Sequence, residues 1–423
     1  MMNELIKLKI DGKEIEAIEG RPLVEVAREN GINIPTLCHF KDIYPPLSTC
    51  RICTCKIDGR MDTACTTNVR NGMEVDVSSP EIADIRKAVV EMLFAEGNHN
   101  CPACTKSGNC DLQRRGYEMG LSISRFPHLF KRRPRDFSME RIFMEHNRCV
   151  LCKRCIELIK TDDGKNVFSF QNRGHKVLVG IDYELERELS DEKIELARDI
   201  CPVGAILVKG KTGATPFGVR KFDLDQDMKY VPTQELKVNL PKDKKPVIAT
   251  TSLAGCFGCH MSILDIDTEL LDIIELVEFN KSPLTDIKKF TKRCDIGIIE
   301  GGIANNENIE VLKAFRDNCD ILIGLGECAI WGGLPAMRNI VPLEECLEEA
   351  YLHSVTSEAG ANIIPRSDDI PRLLDKVYST NDIVKIDYFI PGCPPNADHI
   401  WKVVKSVLSG EQIPISYKEF KYD

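Results

Sequence analysis

Apolar and polar residues alternate over the first twenty positions as LIKLKI, then the turn DGK, then EIEAIEG, a pattern that predicts a β-hairpin. PLVEVARENG follows with helical spacing and Gly31 at its close, which predicts a short amphipathic helix. Residues 80–97, PEIADIRKAVVEMLFAEG, repeat apolar positions at the helical period, with Pro80 just inside the start. Past residue 246 the pattern changes. The apolar runs PVIAT, DIGIIEG, DILIGLG and DYFIPG are separated by helical stretches such as NIEVLKAFRDN, the signature of a parallel α/β sheet. Residues 210–245 lack periodicity and are broken by Pro and Gly, so they read as a domain linker.

A chain of 423 residues is too long for one ordinary domain and suggests about two to four. Its 43 % hydrophobic and 29 % charged residues suit a globular protein with real cores. A net charge of −9 sets aside a nucleic-acid platform, and the basic run HLFKRRPRDF at 128–137 reads as a solvated face. The N-terminus has no apolar h-region, and the pairs Arg114–Arg115 and Arg132–Arg133 are internal. No run approaches the roughly 18 apolar residues of a spanning helix. A cytoplasmic chain is expected, touching a membrane only through partners.

Nineteen cysteines are unlike a set of structural disulfides in a reducing compartment, which leaves zinc and iron–sulfur groups. Cys38, Cys50, Cys53 and Cys65 are spaced C-x11-C-x2-C-x11-C around an irregular loop, a way for a small sheet to hold a 2Fe–2S centre, with zinc the alternative. In HNCPACTKSGNC, Cys101, Cys104 and Cys110 leave a four-ligand set one short, and His99 is the natural fourth donor. Cys149, Cys152 and Cys155 in C-x2-C-x2-C, with the distant Cys201 followed by Pro202, give the bacterial ferredoxin signal of a 4Fe–4S site. In the α/β half, Cys256 and Cys259, Cys328 and Cys393 fall in three loops after strands, where an open parallel sheet binds its ligands. Fifteen cysteines and His99 thus form four sets of four, leaving Cys55, Cys294, Cys319 and Cys346 as ordinary packed thiols. GLGECA at 324–329 imitates a dinucleotide-binding turn, with Glu344 and Glu345 near the acidic position, but Cys328 occupies its interior.

With these motifs in view, the first half resembles the N-terminal part of the large iron–sulfur subunit of complex I. It resembles still more the diaphorase-side iron–sulfur subunit of cytosolic NAD-reducing nickel–iron hydrogenases. EGNHNCPACTKSGNC carries that likeness, with one residue between His99 and Cys101 where complex I typically has three. Residues 246–423 resemble the hydrogenase small subunit: GCFGC has its C-x-G-C in place of the adjacent cysteines of complex I, and GECAIWGG and IPGCPPNADHIW match the other two positions.

The resemblance implies a multidomain α+β and α/β fold. Its parts would be a β-grasp 2Fe–2S domain over 1–79, a His/Cys3 4Fe–4S segment over 80–127 and a 4Fe–4S ferredoxin-like domain over 128–209. The linker 210–245 would lead to a flavodoxin-like parallel domain over 246–423 that holds the proximal 4Fe–4S cluster. Larger small subunits add a domain with two more clusters; the short stretch after Cys393 implies one cluster here. Nothing resembles the nickel-binding DPC-x-x-C, so the chain is expected to conduct electrons within a hetero-oligomer. Its implied partners are a hydrogenase large subunit, a flavin- and NAD(P)-binding subunit and, in a bifurcating complex, ferredoxin. The rival readings are a complex I-like NADH dehydrogenase arm, against which GCFGC speaks, and a zinc-bearing assembly scaffold.

Overall fold

The computed structural model describes residues 5–129, 131–216, 219–220, 244–356 and 363–409. They form two compact units. The first gathers Met1–His99, Thr105–Met119 and Ser124–Leu224; the second gathers Asn100–Cys104, Gly120–Ile123 and Asp225–Asp423.

In the first unit the predicted hairpin is β1 (Leu5–Ile10) and β2 (Lys13–Ile18), in register from Leu5↔Ile18 to Ile10↔Lys13. Asp11 and Gly12 turn the chain at φ of 49° and 77°, as a tight two-residue hairpin requires. Helix α1 (Leu23–Glu29) buries Leu23, Val24, Val26 and Ala27. Strands β3 (Thr54–Ile57), β4 (Arg60–Thr63) and β5 (Glu74–Asp76) complete a five-stranded sheet in the order β2-β1-β5-β3-β4. Only β1 and β5 run parallel; the other neighbours are antiparallel. Ile6, Leu8, Ile10, Leu23, Val26 and Met73 share its core with Cys53, Cys55 and Cys65.

Helix α2 (Pro80–Glu96) opens with Pro at its first position, where no intrahelical N–H is needed, and leads to α3 (Asp111–Glu118). Strands β6 (Arg135–Asp136) and β7 (Ile142–Glu145) precede α4 (Arg154–Leu158). The hairpin β8 (Phe168–Gln171) and β9 (Leu178–Ile181) leads to α5 (Tyr183–Glu188) and α6 (Asp191–Ile200). Asp182 and Ser190 cap these two helices by accepting backbone N–H bonds. Strand β10 (Ile206–Val208) pairs antiparallel with β7, closing a three-stranded sheet.

The expected linker begins attached: Gly213 and Thr215 donate their N–H groups to the carbonyls of Thr105 and Ser107, both at 2.9 Å. Most of that stretch, residues 217–218 and 221–243, lies outside the described residues.

The second unit opens with β11 (Val247–Ser252), α7 (Gly258–Leu264), α8 (Glu269–Leu276) and β12 (Glu278–Phe279). Then come β13 (Cys294–Glu300), β14 (Ile303–Asn305), α9 (Asn306–Asn318), β15 (Cys319–Leu325) and α10 (Gly326–Trp331). The last elements are α11 (Leu343–Tyr351), β16 (Leu373–Tyr378), β17 (Tyr388–Ile390) and α12 (Ala397–Ser409). Five strands form one all-parallel sheet in the order β12-β11-β13-β15-β17. Successive side chains alternate faces, so Ile248, Ile296, Ile298 and Ile323 pack with Trp401, while Ala249, Ile299 and Leu322 pack with Leu312 and Phe315. Both faces are covered by helices, and the four predicted apolar runs are β11, β13, β15 and β17. A small antiparallel pair, β14 with β16, was not legible in the pattern. Among the described residues no helix is long and apolar enough to cross a membrane.

Candidate metal centres

Cys38 lies in the loop after α1, Cys50 and Cys53 precede β3, and Cys65 follows β4. Cys38 N–H donates to Cys50 Sγ and Cys50 N–H returns a bond to Cys38 Sγ, both at 3.4 Å. Thiol–thiol hydrogen bonds join Cys38 to Cys50 and Cys53 to Cys65, and charge on Cys50 reaches Cys53 as charge on Cys38 reaches Cys65. Bonding to Cys50 draws the Cys38 thiol down to about 5, and the same bond with burial pushes Cys50 up. Ser48 and Arg51, at φ of 52° and 58°, give the loop the irregular path that its sequence suggests. The four predicted residues come together, with Cys38, Cys53 and Cys65 each 1 % exposed.

Cys149 and Cys152 lie in the loop before α4, with Leu151 and Lys153 at φ of 52° and 71°, and Cys155 lies in the first turn of that helix. Cys201 caps the end of α6. Each of the first three feels the charge of Cys201, and Cys155 feels all three others. Burial pushes Cys149 up to about 12 and raises Cys152 and Cys155 further. Four thiols that face one another, three of them buried, fit a soft, positively charged metal core.

His99 lies half-buried beside Phe94, ring centroids 5.4 Å apart and edge-on. It bonds to the Leu93 backbone, while its Nε2 has no hydrogen-bond partner. Burial, then Arg148 and His128, push its pKa down to about 3, so the ring is neutral and an available nitrogen donor. Cys110 caps α3, its Sγ accepting from Gln113 N–H at 3.4 Å. His99 and Cys110 belong to the first unit. Cys101 and Cys104 belong to the second, on a turn closed by Cys104 N–H to the Cys101 carbonyl at 3.1 Å.

In the second unit the four remaining predicted residues follow the carboxyl ends of β11, β15 and β17. Cys259 feels Cys328, Cys393 and Cys256, and Cys328 feels Cys393 and Cys256. Cys256 is exposed, whereas Cys259 and Cys328 are buried, and burial pushes Cys328 up to about 12. Glycines make the cradle: a Cβ on Gly326 would overlap Cys259 Sγ, and one on Gly333 would lie 2.7 Å from Cys328 Sγ. The donor sets fit iron–sulfur groups, and the orphaned His99 nitrogen fits a ligand role.

Residues that the sequence did not single out tie the loops together. Glu300, buried at the end of β13, accepts the N–H groups of Cys259 at 3.2 Å and His260 at 3.1 Å, and also contacts His260 Nδ1. Glu327 N–H donates to the Gly392 carbonyl at 3.0 Å, and Gly392 N–H returns a bond to Glu327 Oε1 at 3.3 Å. Ser262 Oγ donates to the Pro395 carbonyl at 2.6 Å. A carboxylate closing an apolar strand, as in DIGIIE, was the available signal for Glu300. Cys55 is fully buried, Cys294 and Cys319 face each other across β13 and β15, and Cys346 lies in α11. Among the described residues no three His, Cys, Asp or Glu side chains close to the spacing of a single bound ion.

Four family models match the chain in succession. A 2Fe–2S iron–sulfur cluster binding domain matches residues 3–80, and the iron–sulfur binding region of NADH-ubiquinone oxidoreductase G matches 86–125. The ferredoxin-like domain of NADH-quinone oxidoreductase subunit 3 matches 140–207, and the NADH ubiquinone oxidoreductase 20 Kd subunit matches 256–407. The NAD-reducing hydrogenase HoxS subunit gamma of Cupriavidus necator is 48 % identical over 220 residues, 52 % of this chain and 94 % of that protein. Its subunit delta is 49 % identical over 183 residues, 43 % of this chain and 88 % of that protein. A chain of a crystallised NAD+-reducing NiFe hydrogenase in the H2-reduced state is 46 % identical, covering 43 % of this chain and all of that one, with a TM-score of 0.41. On these identities the chain belongs to the iron–sulfur subunits of the NAD-reducing hydrogenases, with gamma-like and delta-like portions fused in one polypeptide.

Proposed function

We propose that this chain relays electrons between a nickel–iron site on a hydrogenase large subunit and a flavin- and NAD(P)-binding partner in the cytoplasm, with ferredoxin as a further partner if the complex bifurcates. The observation that carries the reading is the meeting of Cys256, Cys259, Cys328 and Cys393 at the ends of three parallel strands, on a chain with further thiol sets. In this reading Cys38, Cys50, Cys53 and Cys65 hold a 2Fe–2S group. His99, Cys101, Cys104 and Cys110; Cys149, Cys152, Cys155 and Cys201; and Cys256, Cys259, Cys328 and Cys393 each hold a 4Fe–4S group. The strand orders support the expected β-grasp and flavodoxin-like domains.

Bound at these sets, iron–sulfur groups supply reversible uptake of one electron each. The chain's residues do the rest. Buried thiols hold the negative donors away from water, which sets both affinity and potential. Glu300 fixes the Cys256–Cys259 loop by taking its N–H groups, and Glu327 with Gly392 fixes the loops of Cys328 and Cys393 against each other. The glycines at 326 and 333 leave the space that the sulfurs need.

Two substitutions in the assembled complex test the reading. Cys259→Ser is expected to abolish hydrogen-dependent reduction of both dyes and nucleotide while NADH-to-dye activity survives. Cys152→Ser is expected to block transfer between hydrogen and nucleotide while leaving some hydrogen-to-dye activity. Hydrogen-dependent nucleotide reduction that survived Cys259→Ser in an assembled complex would overturn the assignment of that set.

A further inference from the structure

Arg86 projects from α2 and is 6 % exposed. Its guanidinium donates from Nε to the Thr54 carbonyl at 2.9 Å, from Nη1 to the Val77 carbonyl at 2.8 Å and from Nη2 to Cys55 Sγ at 3.3 Å. Among the described residues no carboxylate lies within ion-pair distance of it. Asp11 and Asp76 are the acids whose charge reaches Cys55. Asp11 is engaged by Val77 N–H at 2.8 Å, and Asp76 by Ser78 and Ser79 N–H at 3.2 and 2.9 Å. A buried cation satisfied only by neutral acceptors is costly, and an apolar side chain would pack there at less expense. The charge therefore calls for an anion close by.

Cys55 points to which one. Fully buried, it receives Arg86 and donates its own Sγ–H to the Cys53 carbonyl at 3.4 Å. Arg86 is thus two hydrogen bonds from the backbone of a residue in the first thiol set. Helix α2 packs on β3, which holds the guanidinium on the core side of that strand.

We propose that Arg86, held through Cys55, is a positioning and charge-compensating residue that raises the reduction potential of the site formed by Cys38, Cys50, Cys53 and Cys65. The inference rests on the reading of that set as a 2Fe–2S site. Reduction adds one electron, supplied by a neighbouring site, and no proton. A fixed positive charge inside a low-dielectric core stabilises the more negative, reduced state.

The test is an EPR-monitored redox titration of the full chain and two variants, with iron content and far-UV circular dichroism as controls. Arg86→Gln is expected to make reduction of the 2Fe–2S signal about tenfold less favourable, about 59 mV for one electron, with the other signals unmoved. Arg86→Lys keeps the charge and is expected to restore most of the shift. A midpoint in Arg86→Gln within about a factor of two of the unsubstituted equilibrium would overturn the proposal. If Arg86→Gln folds without the group while Arg86→Lys retains it, the charge role stands; loss from both makes Arg86 a packing residue and overturns it. Absence of any 2Fe–2S signal from the unsubstituted chain would instead remove the reading on which the inference rests.

Discussion

Thr49 donates its hydroxyl to the carbonyl of Cys152 at 3.0 Å. The loop that carries Cys50 is therefore bonded to the loop that carries Cys149 and Cys152. Arg154 reinforces the junction by donating to the His39 carbonyl at 3.0 Å and the Ile200 carbonyl at 3.3 Å, beside Cys38 and Cys201. Thr49→Val removes the hydroxyl at nearly constant volume. It is expected to cost about 1 kcal/mol and to speed amide hydrogen exchange across residues 149–155, measured by mass spectrometry. Unchanged exchange there would show that Arg154 alone holds the two loops.

Four filled sites imply a composition. Anaerobically purified chain should contain about fourteen iron atoms with matching acid-labile sulfide, one 2Fe–2S and three 4Fe–4S groups together. Metal analysis by plasma emission checks this directly, and stoichiometric zinc with little iron would favour the scaffold reading.

His99 can be moved without being replaced. A Cβ on Gly97 would overlap His99 Nε2, so Gly97→Ala should displace the ring and lower iron content by about four atoms. His99→Cys should keep the iron but lower one 4Fe–4S midpoint, because a thiolate makes the site more negative than a neutral imidazole does. A potentiometric titration indistinguishable from the unsubstituted chain would remove His99 from the ligands.

The same logic applies in the second unit. Gly326 combines φ of +81° with a Cβ position that would overlap Cys259 Sγ. Gly326→Ala is expected to lose about four irons and hydrogen-dependent dye reduction together, leaving the signals of the first unit intact. Full iron content in that variant would mean that the sulfur lies elsewhere.

The elements legible in the sequence were those with many repeats of one period. β1 and β2 alternate cleanly, α2 holds its helical period for five turns, and β11, β13, β15 and β17 are apolar because both their faces are covered. What escaped was short or half-exposed. β8, FSFQ, buries only Phe168 and is recognisable by its pairing with β9 rather than by pattern. The cysteine spacings suggested four residue sets. The fold brings Cys201 near Cys152 and Cys328 near Cys393 across long stretches of chain, while His99 and Cys110 fall in the first unit and Cys101 and Cys104 in the second. Glu300, Thr49 and Arg86 carry no spacing signal. Each acts on a backbone group or side chain remote in the chain, and only the folded arrangement brings that partner within reach.

The parallel pairing of β1 with β5 bears on the order of assembly. Lys9 and Ile10 pair with Glu74 and Val75, and β5 also pairs with β3. Strand β5 is thus the piece that joins the N-terminal hairpin to the hairpin of β3 and β4. All four thiols of the first set lie between β1 and β5 in the chain, inside the loop that this pairing closes. During synthesis, every one of those thiols emerges before the strand that shuts the sheet around them. A fragment ending after Cys65 would carry all four thiols and still lack the strand that holds the two hairpins together. The order of the chain thus places closure of the sheet after all four thiols, with residues 74–76 as the latch.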